Sequence, residues 1–235
     1  MAPVTAGGGE RGLWLGPQGG LAQRADLATF VERAMRLDDA AVIRLRARAG
    51  GLVTAWVATG FDVLACRVVG GAVRPADLSV SADGLARGLS AMDTAGYVDP
   101  GFSMDAAWRG ALPPESGFVH VDDVPARVIL DLAERGARLA KEHGGSHGPP
   151  VSLLDQEVIR VSSADAWAEA SADATVGLPM RCVFALTAMG FLPQQADAIL
   201  PEEIIRVRVM PNWLRIDARF GSVYRRRGDP ALVLR

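Results

Sequence analysis

The sequence predicts an α+β fold of two sub-domains, each a small antiparallel meander sheet packed against helices, and three observations carry that prediction. Stretches of strict period-two alternation recur, as in Ile43-Arg44-Leu45-Arg46-Ala47-Arg48, where apolar and charged side chains fall on opposite sides of a strand. Apolar stripes at helical spacing precede those stretches. A helix followed by a three-stranded meander comes twice, with Ile43-Arg44-Leu45-Arg46 matched by Ile205-Arg206-Val207-Arg208 and Ala55-Trp56-Val57 by Asn212-Trp213-Leu214, which reads as a remote internal duplication.

Residues 1–22 hold seven glycines, Pro3 and Pro17, and read as a flexible N-terminal arm. The first helix is expected over Asp26–Leu37, with Asp26 as cap and Leu27, Phe30, Val31, Ala34 and Met35 on one face. After Asp38-Asp39 the period changes to two. A half-buried strand then leads through Gly50-Gly51 into strands at Leu52–Thr59 and Phe61–Val69. A short strand around Leu78–Val80 precedes a helix from Ser81, its expected cap, to Met92.

Residues 96–117 carry Pro100, Pro113, Pro114 and several glycines and read as a linker between a first module, 23–95, and a second, 118–235. In the second, Phe118–Val121 reads as a strand and Asp122 or Asp123 as the cap of a long helix with Pro125 in its first turn. Val128, Ile129, Leu132, Leu139 and Ala140 form its stripe, and charged pairs such as Glu134 with Arg138, four residues apart, mark its wet face. A strand at Glu157–Val161, a short helix at 164–172 and an almost wholly apolar helix over Leu178–Leu192 follow. The chain then repeats its opening logic with strands at Ile204–Met210, Trp213–Phe220 and Val223–Arg227.

With 49% hydrophobic and 22% charged residues the chain has the composition of a folded globular protein. A net charge of -2 excludes a surface that is basic throughout, and Asp62, Arg67 and the glycines around them break the longest apolar run below the length of a membrane span. Cys66 and Cys182 stand far apart and read as buried thiols of a reducing, cytoplasmic compartment. No P-loop, G-x-S-x-G or Cys-x-x-Cys motif is present, and Gly7, Gly9 and Gly12 have no strand before them to build a dinucleotide turn, so no cofactor is expected.

Two constellations stand out. His120, His143 and His147, with Asp122 beside the first, are the right residue types for a zinc site with an open water position, and would make the chain a metal-dependent hydrolase. The loop presentation of His147 and the helix-terminal place of His143 favour dipole capping instead. The second constellation is the C-terminal meander. Residues 201–235 hold eight arginines against four acids, a local charge of +4 that leaves -6 for the first 200 residues.

Arg206, Arg208, Arg215, Arg219 and Arg225, with Trp213 at the edge, are the residue types that track phosphates and stack a base, or dock an acidic protein. The bland account is the wet face of a one-sided sheet. The missing catalytic motifs and paired meanders lead the sequence reading: a non-catalytic cytoplasmic interaction or regulatory protein, not an enzyme, that meets a protein partner or a second copy of itself through a sheet face or edge. Nucleic-acid binding through the arginine meander is the alternative, and the histidine hydrolase a further one.

Overall fold

A computed structural model describes residues 11–16, 20–143, 148–162, 175–193 and 202–228, and the side chain of His143 lies outside the description. The chain falls into two compact units, one made of Met1–Val57 and Arg67–Gly110, the other of Ala58–Cys66 and Ala111–Arg235. Each is an antiparallel sheet packed against helices, as the period-two stretches and apolar stripes require.

The first unit runs through β1 (Gly12–Trp14), α1 (Gly20–Leu37), β2 (Val42–Arg48), β3 (Leu52–Thr59), β4 (Val63–Gly70), β5 (Ala72–Arg74), β6 (Asp77–Ser81), α2 (Ala82–Ser90) and β7 (Tyr97–Val98), with residues 58–66 of the β3–β4 hairpin belonging to the second unit. β2 lies between β3 and β6, and β1 between β5 and β7. Leu27, Phe30 and Val31 of α1, Leu85 and Leu89 of α2, and Ile43, Leu45, Leu78 and Val80 of β2 and β6 are all buried, and α2 packs on α1 and on β6. Ser81 caps α2 as expected, its Oγ accepting from the Gly84 N–H at 3.0 Å.

Two expectations need correcting here. The arm 1–22 contains β1, because Leu13 and Leu15 are fully buried and Leu13 pairs with both Val73 and Val98. Asp26 does not cap α1, which starts six residues earlier; its carboxylate instead holds Arg67 at 2.8 Å.

The second unit adds β8 (Val119–Pro125), α3 (Ala126–His143), the single turn α4 (Val151–Leu154), β9 (Glu157–Ser162), β10 (Thr175–Pro179), α5 (Met180–Ala188), β11 (Ile204–Met210), β12 (Trp213–Ala218) and β13 (Gly221–Arg226). Its main sheet runs β13-β12-β11-β8, with Leu64, Ala65 and Cys66 of β4 paired to the outer side of β13. β9 and β10 form a separate ladder.

Asp122 and Asp123 are strand residues here, since pairing of β8 with β11 continues as far as Pro125 opposite Ile204. The apolar segment expected as one helix from Leu178 is split, its start forming β10 against β9 and its centre α5. The expected helix at 164–172 lies outside the described residues.

One joint recurs three times, and two of its instances account for the strand character of Asp122 and Asp123 and for the split of the segment from Leu178. Strand runs into helix with no intervening turn at Ser81/Ala82, Pro125/Ala126 and Pro179/Met180. In each case the first helical N–H donates to the carbonyl of the residue just before the partner strand: Ala82 to Ala41 at 2.9 Å, Ala126 to Glu203 at 2.8 Å, Met180 to Gln156 at 2.9 Å. A backbone acceptor thus satisfies one of the orphan donors of the helix start, so the two proline joints need no side-chain cap.

The wider topology repeats as well. In the first unit β1, which leads to α1, pairs with β7 after α2, while β6, which leads to α2, pairs with β2 after α1. In the second unit β8 and β11, and β10 and β9, cross over in the same way around α3 and α5. The internal repeat is therefore one of topology, deeper than the short match of text.

Candidate nucleic-acid or partner-binding face

Alternation along β11 and β12 buries Ile205, Val207, Val209, Leu214 and Ile216 and turns Arg206, Arg208, Trp213, Arg215 and Asp217 to the other face. Register sets Arg208 opposite Arg215, Arg215 opposite Tyr224, and Trp213 opposite Arg226. The arginines expected from the sequence do gather on this face, but they do not stand bare.

Asp217 holds two of them, taking Arg215 Nε at 2.7 Å and the Arg208 guanidinium, and also accepts from the Ser222 hydroxyl. Arg215 lies over the rings of Phe118 and Tyr224, centroids 5.7 and 5.5 Å away, and those rings meet edge to face. Burial pushes the Tyr224 hydroxyl above its ordinary range, so it serves this cluster as a neutral phenol. Arg206 faces Asp123 at 3.8 Å, and Arg219 donates to Glu203 at 2.9 Å.

Arg225 is on the wrong side for this face. It pairs with Leu214, shares the buried side of the sheet and approaches Asp155 at 3.6 Å. The run Arg225-Arg226-Arg227 alternates like any strand, so its members cannot all point outward. Arg226 and Arg227 have no ion pair among the described residues, which makes them the least compensated cations of the meander.

The zinc constellation does not come together on what is described. His120 Nε2 lies 2.9 Å from Asp123 Oδ1, not against Asp122, while His147 and the His143 side chain lie outside the described residues. No three His, Cys, Asp or Glu side chains among the described residues are placed to hold a metal ion. Burial pushes the Cys182 thiol up to about 12, so it is a packed, un-ionised group and a poor nucleophile at neutral pH.

Sequence reasoning missed the acids that organise the face. Asp217 has the same parity on β12 as Trp213 and Arg215, a signal available in the text, whereas Asp123 acts from a strand remote in sequence and Glu203 reaches Arg219 from the residue before β11.

Residues 10–110 match the family model described as a domain of unknown function, DUF8010. Residues 113–230, half of the chain, match that of a second domain of unknown function, DUF8185. The chain belongs to the DUF8185 family. The candidate face lies wholly within its DUF8185 region. No curated protein matches the chain.

Solved structures do resemble it. The β subunit from DNA polymerase of Streptococcus pyogenes has a TM-score of 0.54 at 12% identity, covering 95% of this chain and 67% of that one. The β sliding clamp of C. crescentus has a TM-score of 0.51 at 12% identity over 93% of this chain and 65% of its own, and the DNA polymerase sliding clamp of Pseudomonas aeruginosa has 0.51 at 12% over 90% and 66%. The chain thus spans about 65% of the length of the C. crescentus clamp. At such identities the likeness is one of fold, and it takes in the DUF8010 and DUF8185 regions together.

Proposed function

We propose that this protein is a non-catalytic, clamp-like scaffold that associates with DNA and with partner proteins in the cytoplasm. The observation that carries the reading is the sliding-clamp fold shared over more than nine-tenths of the chain, with the same crossed strand-helix topology in both units. The arginine-aspartate lattice of the DUF8185 sheet supports it, because those side chains hold one another and leave no free base or nucleophile. Among the described residues no helix is long and apolar enough to cross a membrane. A homo-oligomer, with copies related by cyclic symmetry around the DNA, belongs to the proposal.

The face of Arg206, Arg208, Trp213, Arg215 and Arg219 is the proposed contact surface. Its internal neutralisation, with Asp217, Asp123 and Glu203 among the cations, favours modest affinity over tight non-specific binding. Titration into labelled 30-base-pair duplex should show binding at about 50 mM salt that weakens at least tenfold by about 200 mM. Absence of binding at the lower salt, with the protein folded, would remove the DNA half of the proposal and leave a protein-docking scaffold.

A further inference from the structure

We infer that the end of the second unit's sheet, at Trp213, Arg226 and Arg227, is a binding site for a single-stranded segment of nucleic acid; this deepens the DNA-associated reading and rests on it. The site emerges by elimination along the arginine-rich C-terminal segment. Arg206, Arg208, Arg215 and Arg219 are held by Asp123, Asp217 and Glu203, so binding a phosphate there means displacing an acid already in place. Arg225 belongs to the buried side. Arg226 is exposed, Arg227 half-exposed, and neither has an ion pair among the described residues.

Arg226 stands beside the aromatic residue best placed to use it, and Arg227, one residue on, alternates to the other side at the strand end. Trp213 opens β12, directly opposite Arg226 in register and on the same face, with Met210 on its other flank. The Arg227 N–H donates to the Asn212 carbonyl at 2.9 Å, which ties the end of β13 to the β11–β12 turn and fixes all three residues on one rigid ladder. Pro211 and Asn212 at the tip are exposed, so a ligand can approach from the turn side.

The chemistry of the ligand follows. One guanidinium beside the indole and a second on the other side of the strand end suit successive phosphates of a flexible backbone that crosses the tip, and a half-exposed indole offers a π-face to an unstacked base, which duplex DNA does not present. An acidic peptide would engage the cations and leave the indole unused.

The test uses the full chain and a labelled oligo-dT 12-mer. Against wild type, the Arg226→Gln/Arg227→Gln double variant should bind about tenfold or more weakly at about 100 mM salt, with the slope of log affinity against log salt flattened by about 1.4, two phosphate contacts' worth. Trp213→Ala should lose about tenfold and Trp213→Phe should keep most of the affinity, because stacking needs a ring and not the indole N–H. Arg160→Gln, an exposed cation of the separate β9–β10 ladder that is paired with Glu157, should change little.

If wild type binds the 12-mer and the double variant and Trp213→Phe behave alike and like wild type in affinity and slope, with Trp213→Ala no weaker, the site is elsewhere while the scaffold reading stands. Displacement of the 12-mer by polyglutamate at equal charge concentration would also overturn the inference, in favour of an acidic protein. If wild type binds neither duplex nor single strand at about 50 mM salt, both fall. Should Trp213→Ala not fold, the arginine pair and Trp213→Phe decide.

Discussion

Gly88→Ala is expected to destabilise the first unit by about 2 kcal/mol or more, lowering its melting temperature by roughly 8–16 °C. Helix propensity alone argues the opposite sign, since alanine in the interior of a helix is favoured over glycine by about 1 kcal/mol. The difference lies in the packing of α2. A Cβ at Gly88 would overlap the carbonyl oxygen of Asp99, lie 2.9 Å from its carbonyl carbon and stand 3.1 Å from Val98 Cγ1. Those backbone atoms continue directly from β7, whose pairing to β1 holds them in place, so they cannot withdraw as a side chain would.

Gly136→Ala is the matched comparison. Its Cβ would meet the Met180 and Phe184 side chains at 2.9 Å, and a flexible thioether can yield, so this variant should fall within about 1 kcal/mol of wild type. Thermal denaturation of the two variants side by side checks the claim; equal melting temperatures would mean that the Asp99 strand-to-loop segment is free to move off α2.

Arg181→Met is expected to cost the second unit about 3 kcal/mol. Arg181 is the second residue of α5, 7% exposed, and its guanidinium ties three chain segments together: it bonds Asp155 after α4, donates to the Phe61 carbonyl at 2.7 Å in the β3–β4 hairpin, and lies 3.6 Å from Asp62. Removing one side of a buried pair leaves the partner carbonyl and carboxylate without their donor, which typically costs about 3–5 kcal/mol. The lower end applies because Asp155 is about half exposed and water can reach it.

Asp155→Asn should cost less than Arg181→Met, since the Phe61 carbonyl bond survives. Urea denaturation of the single and double variants measures the coupling; an Arg181→Met variant within about 0.5 kcal/mol of wild type would show that α5 and the hairpin are held by apolar packing such as Phe61 on Phe184 alone.

The parts of this fold that were legible in the sequence are those whose signal is local. Period two marked β2 and β11, Ser81 announced α2, and the stripe of Val128, Ile129 and Leu132 announced α3. The parts that were not legible depend on remote partners. β8 continues through Asp122 and Asp123 only because β11, some 80 residues away, pairs with it, and without that partner two aspartates before a proline look like a helix cap. β10 carries Gly177 and Pro179, both poor strand residues, and is held as a strand by β9.

The same division holds at the candidate face. The parity of Arg206, Arg208, Trp213 and Arg215 is written in the text, but the acids that neutralise them come mostly from neighbouring strands and turns. Arg225 falls on the other side because it stands opposite the buried Leu214, and the register of β13 against β12 that sets this is not written in the local sequence.

Retention on closed circular DNA is the most direct test of the clamp-like scaffold. Protein bound to a nicked circle is passed through a sizing column at about 150 mM salt, before and after one cut that makes the circle linear. A scaffold that closes around DNA stays with the circle and runs off the linear form, whereas equal retention on both, or none on either, would contradict the account.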